Sequence, residues 1–108
     1  MFQRIDNLFR APVSKQDELT AAPSELARIF GSPTSELWDA ESLGGFYFVT
    51  EDGQPFTLYF RAYDIDERTI KKLRSSFWLE RGEMHFNIGA VSGSDVAGFK
   101  AWITTQLG

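Results

Sequence analysis

Residues 46–61 read FYFVTEDGQPFTLYFR, and the parity of this stretch decides the fold. Phe46, Phe48, Phe56, Leu58 and Phe60 alternate with Tyr47, Val49, Thr57, Tyr59 and Arg61, the period-two pattern of strands with one buried face. The connection Thr50-Glu51-Asp52-Gly53 suits a type I turn with Gly53 at positive φ, giving a three-residue loop with a bulge. That loop pairs Phe48 with Phe56 and Phe46 with Leu58, so every phenylalanine falls on one face. A two-residue Asp52-Gly53 loop would set Phe48 against Thr57 and scatter the apolar groups over both faces. Each misplaced Phe or Leu would forfeit roughly 1.5–3 kcal/mol, so burial selects the first register.

Downstream, Phe77 and Leu79 alternate with Trp78 and Glu80, and Met84, Phe86 and Ile88 with His85 and Asn87. This predicts a second hairpin turning at Arg81-Gly82, with Leu79 opposite Met84 and Phe77 opposite Phe86, at the cost of Glu80 facing Glu83. Between the hairpins, Asp64 is expected to cap a short helix, with Glu67 at the capping-box position and Ile70 and Leu73 inward. The chain closes on an amphipathic helix, Ser94 as N-cap and Asp95 at its positive end, whose stripe of Val96, Phe99, Trp102, Ile103 and Leu107 should cross the phenylalanine face. Upstream, Phe2, Ile5, Leu8 and Phe9 recur at helical spacing, and a loop or frayed helix is expected after Pro12. Pro23, the apolar face of Leu26, Ile29 and Phe30, and the stop Gly31-x-Pro33 place a helix at about 23–30. The expected fold is α+β: a two-layer, single-domain structure of about four antiparallel strands in two hairpins, packed against the C-terminal helix, with short N-terminal helices.

Composition bounds the chemistry. The chain has 108 residues, no cysteine and one histidine, which excludes disulfide scaffolds and cysteine-ligated metal sites. At this length one core can form without staples. Eleven Lys plus Arg against fifteen Asp plus Glu give a net charge of −4, which opposes non-specific binding to phosphate backbones. Charges interrupt the apolar residues of positions 1–10, so no signal-peptide core is read there, and no apolar run approaches the roughly 18 residues that span a bilayer. These features predict a soluble, cytoplasmic protein with no membrane partner and no direct nucleic-acid binding.

Four constellations invite chemistry, and each has a plainer account. His85 would carry any imidazole catalysis, yet no nucleophile elbow or triad spacing accompanies it. Asp64, Asp66 and Glu67 concentrate hard ligands, but the calcium-loop glycine and glutamate are replaced by Thr69 and Ser75, leaving a helix cap. Residues 89–95 (GAVSGSD) join strand to helix without the lysine of a phosphate loop, and Asp95 would repel an anion. Arg68, Lys71, Lys72 and Arg74 form a basic run that reads as a solvated helix face. No enzyme activity, metal or cofactor is expected.

The remaining feature is the second sheet face, where Tyr47, Tyr59, Arg61, Tyr63, Trp78, His85 and Asn87 should project together. Tyrosine, tryptophan and arginine are enriched at interface cores, because they bury large area while keeping a polar handle. The alternative is that residues 1–30 fold over this face as a second core layer. The run Ile29-Phe30-Gly31-x-Pro33, Phe46 to Val49, Gly53 with Phe56 to Arg61, Phe86-Asn87-Ile88-Gly89 and Phe99-Lys100-Ala101-Trp102 resembles short uncharacterised proteins of phage and bacterial genomes. The resemblance implies no activity; its context implies binding and blocking of another protein, as immunity and anti-defence proteins do. The leading expectation is a protein-binding module, an inhibitor steered to a basic partner by its acidic surface. The alternatives are a small-ligand or nucleotide binder, with Tyr47, Tyr59, Trp78 and Arg61 stacking a ring, and a self-associating subunit that buries the aromatic face in a homodimer.

Overall fold

The computed structural model describes residues 2–5, 13–34, 42–61 and 66–108, and the side chains of Ser42, Arg61, Glu67, Lys71 and Ser75 are outside that description. The fold is α+β, with one antiparallel sheet of five strands: β1 (Gln3–Ile5), β2 (Ser14–Ala21), β3 (Ser42–Val49), β4 (Pro55–Arg61) and β5 (Met84–Ala90). Their order is β1-β3-β4-β5-β2, so β1 and β2, consecutive in sequence, form opposite edges. Among the described residues three helices, α1 (Pro23–Phe30), α2 (Glu67–Phe77) and α3 (Val96–Leu107), contribute to the core on the phenylalanine side.

The first hairpin has the expected register, Phe46 opposite Leu58 and Phe48 opposite Phe56. Gly53 adopts φ +86° and donates its N–H to Thr50 O at 3.0 Å, closing the turn, and Thr50 N–H reaches Gln54 O at 3.0 Å. Above these strands α3 lays Phe99 and Ile103, both fully buried, across the rings. Its cap is Asp95, whose carboxylate accepts from Gly98 N at 3.0 Å, one residue beyond the expected Ser94. Helix α1 spans the predicted residues. Pro23 opens it, Ser24 N–H donates to Glu80 O at 3.0 Å, and Gly31 at φ +86° ends it.

Three expectations are corrected. The N-terminal helix is replaced by β1, which pairs with β3 through Gln3–Val49 and Ile5–Tyr47; Leu8 and Phe9 lie outside the described residues. The reason is Arg4. On the helix side of the sheet its guanidinium donates to Phe30 O and Ser32 O at the C-terminal end of α1, and sits 4.9 Å from the centre of the Phe46 ring. A cation there meets the negative end of the helix dipole. The expected loop after Pro12 contains β2, paired along β5 with Leu19 and Ala21 facing the core and a bulge between Lys15 and Asp17. The second hairpin does not form. Phe77 closes α2, and turns at Leu79 and Glu80 lead to β5, whose partners are β4 and β2. The like-charged Glu80–Glu83 pair that a hairpin would have forced is thereby avoided.

Helix α2 starts at Asp66, whose side chain accepts from Thr69 N at 2.8 Å; the expected cap, Asp64, lies outside the described residues. Ile70 faces inward as expected, whereas Leu73 lies at the surface. The Thr69 N–H holds the Asp66 carboxyl below its ordinary value of 3.8. A depressed folded-state value adds stability above the ordinary value and loses it as pH falls through the depressed one. The Thr69 amide resonance should therefore titrate with an acid step below pH 3.8, and Asp66→Asn should abolish that step while keeping the capping acceptor. Persistence of the step in Asp66→Asn would assign it to another group.

Candidate binding face of the sheet

Alternation puts Tyr47, Thr57, Tyr59, His85, Asn87 and Gly89 on the side away from the helices, and pairing with β5 adds Lys15, Glu18 and Thr20 opposite Gly89, Asn87 and His85. Trp78 does not join them. It packs on the helix side, edge-on to Phe46 and Phe77 at 5.3 and 5.0 Å and tilted against Phe86 at 5.8 Å, and its Nε1–H donates to Leu43 O at 2.9 Å. The expected neighbourhood of Trp78 and His85 depended on a hairpin that is absent; with α2 helical to Phe77, the indole folds back into the core. Arg61 ends β4 with its side chain outside the description, and Tyr63 lies outside the described residues altogether.

The face is not uniformly accessible. Its centre is closed: Tyr47 is 5% exposed and Thr57 fully buried. Burial raises the Tyr47 phenol above its ordinary value, because the charged form is poorly solvated there. Thr57 Oγ1 is buried with no hydrogen-bond partner among the described residues. Beside it, a Cβ on Gly89 would collide with Thr57 Oγ1, so glycine is what lets the two strands place the buried threonine hydroxyl there. Tyr59 itself is half-buried.

Toward the β2 side the face opens. The rungs between β4 and β5 run from Phe56–Ala90 to Tyr59–Asn87, while β5 continues against β2 as far as Met84. Where β4 and β5 part there is a cleft of about 350 Å³. Phe60 and Met84 supply its apolar walls, Glu18 and Glu83 its carboxylates, and Lys15, His85 and Asn87 its remaining polar lining. Thr20 Oγ1 and His85 Nδ1 are 3.1 Å apart, which holds the exposed imidazole across the strand pair. Lys15 Nζ donates to Glu18 Oε1 at 2.9 Å; that bond, followed by the lysine's charge, lowers the Glu18 carboxyl below its ordinary value. Asn87 is the exception: it is only 9% exposed.

Sequence reading located His85, Asn87 and Tyr59 on this face but missed Lys15, Glu18, Thr20 and Glu83. The signal was the alternation of Leu19 and Ala21 with Glu18 and Thr20, two apolar positions in an otherwise charged stretch.

The other constellations have local accounts. The Asp66 carboxylate is engaged at the start of α2, and among the described residues no group of three metal-ligating side chains occurs. In residues 89–95, Ser94 N–H closes a turn on Val91 O at 3.0 Å, and the Asp95 carboxylate occupies the helix end where an anion would sit. Arg68 and Lys72 stand exposed on the outer side of α2. No described helix is long and apolar enough to cross a membrane. The chain matches no family model, and a comparison with curated proteins finds no relative.

Proposed function

We propose that this chain is a non-enzymatic protein-binding module that captures a basic partner through the open, β2-side end of the polar sheet face and acts by covering the surface it binds. The observation that supports the reading is the grouping of half-buried Tyr59, exposed His85 and the cleft around Asn87 on a face no described helix occupies. Tyrosine and histidine there offer apolar area with polar tips, and the net charge of −4 favours encounter with a positively charged surface. The role as an inhibitor of a bacterial protein, of immunity or anti-defence type, is the finer form of the same proposal, with cytoplasmic action.

With the partner in hand, Tyr59→Ala combined with His85→Ala should weaken binding at least about tenfold, the effect of losing a central interface anchor. The partner's association rate should fall as salt rises, because the Debye length shortens to about 3 Å at 1 M. A partner that binds the double variant as tightly as the parent would refute the assignment of this face. The cleft volume also favours a second reading, a small-ligand or nucleotide binder, since it falls at the small end of ligand pockets, about 300–1,000 Å³. A saturating ligand would raise the melting temperature of the chain, and a nucleotide and metabolite panel tests for that shift. A homodimer through the aromatic face is the weaker reading, because the closed centre leaves less area to bury.

A further inference from the structure

We infer that Asp52–Gly53, at the tip of the first hairpin, is a self-modifying position: the Gly53 amide nitrogen attacks the Asp52 side chain, and the turn converts to isoaspartate. The chemistry is independent of the partner-binding reading. This pair is the one Asp-Gly or Asn-Gly sequence in the chain, and glycine leaves the attacking nitrogen without a Cβ crowding it. Glu51, Asp52, Gly53 and Gln54 are all exposed, and the space within 4 Å of where a Gly53 Cβ would stand is empty. Asp52 borders an open hollow of about 310 Å³ shared with Phe2, Thr50 and Glu51, which gives its carboxyl room to swing onto the main chain. The Thr50 hydroxyl accepts from Gln54 N–H at 2.9 Å, which aims its own proton at Asp52 Oδ1 and polarises the carboxyl toward attack. One bond opposes the reaction, the Gly53 N–H donated to Thr50 O at 3.0 Å. It must break before the nitrogen can turn toward Cγ, and a solvent-exposed turn bond opens locally without global unfolding.

The new bond joins Gly53 N to Asp52 Cγ; the carboxyl C–OH bond breaks, and the hydroxyl leaves with the amide proton as water. Water then reopens the succinimide. Addition at Cγ restores aspartate, whereas addition at the main-chain carbonyl carbon of Asp52 breaks its bond to Gly53 N and leaves isoaspartate. The backbone then runs through Cβ, and the freed α-carboxylate keeps the charge unchanged. One extra backbone atom thus enters the loop whose length sets Phe48 opposite Phe56, so the Gly53–Thr50 and Thr50–Gln54 backbone bonds lose their geometry.

The folded full chain is incubated in warm neutral buffer and its isoaspartate mapped by peptide mass spectrometry, with a synthetic peptide of residues 49–55 as the clock. Isoaspartate is expected at Asp52, forming about two- to tenfold more slowly than in the peptide, the factor set by one turn hydrogen bond. Asp52→Glu keeps an exposed carboxylate but would have to close a larger, disfavoured ring, so it should yield no isomer there. In the separated isomer, the Thr50 amide should exchange faster and the urea midpoint should fall. A folded chain with no isomer at Asp52 after about ten peptide half-lives would overturn the inference, because the turn would then protect the pair far beyond one bond's worth. Equal isomer in Asp52→Glu would assign the product to another residue. An isomer whose Thr50 amide exchanges as slowly as in the parent would overturn the claimed loosening of the hairpin.

Discussion

Trp78→Ala is expected to lower the unfolding free energy by about 3–5 kcal/mol, the usual cost of truncating a fully packed tryptophan. The residue is 8% exposed, touches the rings of Phe46, Phe77 and Phe86, and carries the only described hydrogen bond from a side chain to Leu43 O. The truncation therefore opens a cavity and leaves a buried carbonyl without its donor. Trp78→Phe separates the two effects: it restores most of the ring packing, so its remaining loss, about 1–3 kcal/mol, reports the orphaned carbonyl. Domains of this kind unfold at about 5–15 kcal/mol, so the alanine variant should show a large drop in its urea midpoint. A loss within about 0.5 kcal/mol, the range of ordinary surface changes, would mean that Trp78 is a surface residue after all.

Phe99→Ala should have an effect of the same size, about 3–5 kcal/mol, from a different part of the core. Phe99 is fully buried and stacks on Phe56 at 4.8 Å with the planes 15° apart, with Phe48 and Phe2 each at 5.3 Å. Aromatic pairs of this kind add about 0.5–1.5 kcal/mol beyond the area they bury. Phe2 also packs edge-on to Phe56 and lies 5.3 Å from Trp102, so removing Phe99 loosens the start of β1 as well as the seat of α3. Faster amide exchange at Arg4 and Ile5 should accompany the loss of stability. Phe99→Leu should keep more than half of what alanine loses, because it retains most of the volume. An alanine variant with unchanged urea midpoint would remove α3 from the phenylalanine face.

These two residues mark what the sequence made legible and what it did not. Phe99 could be placed in advance, because the α3 stripe and the Phe46–Phe60 alternation are both strong, mutually consistent patterns. The register of β3 against β4 could be read for the same reason: Gly53 fixes the loop length and burial rejects the alternative parity. Trp78 was misplaced because three alternating aromatic and aliphatic residues fit a strand as well as the end of a helix. Ile70 and Phe77, seven residues apart, lie on one helical face, and that spacing was the competing signal. The edge strands were hidden by their own composition. An edge exposes its polar groups and is protected by charge and irregularity, so β2 carries Lys15, Asp17, Glu18 and a bulge where a central strand would carry valines. β1 is three residues long, and its inward position holds Arg4, whose partners at the end of α1 are 26 and 28 residues away in the chain. Such a contact has no local signature. The candidate site followed the same division. Tyr59, His85 and Asn87 came from parity along β4 and β5, whereas the Lys15–Glu18 pair required knowing that β2 lies beside β5.

The allocation of side chains to the two faces of the sheet underlies both the stability and the binding proposals, and through-space proton contacts report it directly. A NOESY spectrum of the full chain should connect the Trp78 indole to the Phe46 and Phe86 rings, and the His85 ring to Thr20, with no cross-peak between Trp78 and His85. A Trp78–His85 cross-peak in the folded protein would put the indole on the polar face, and the cleft at Asn87 would lose the surroundings from which its role is argued.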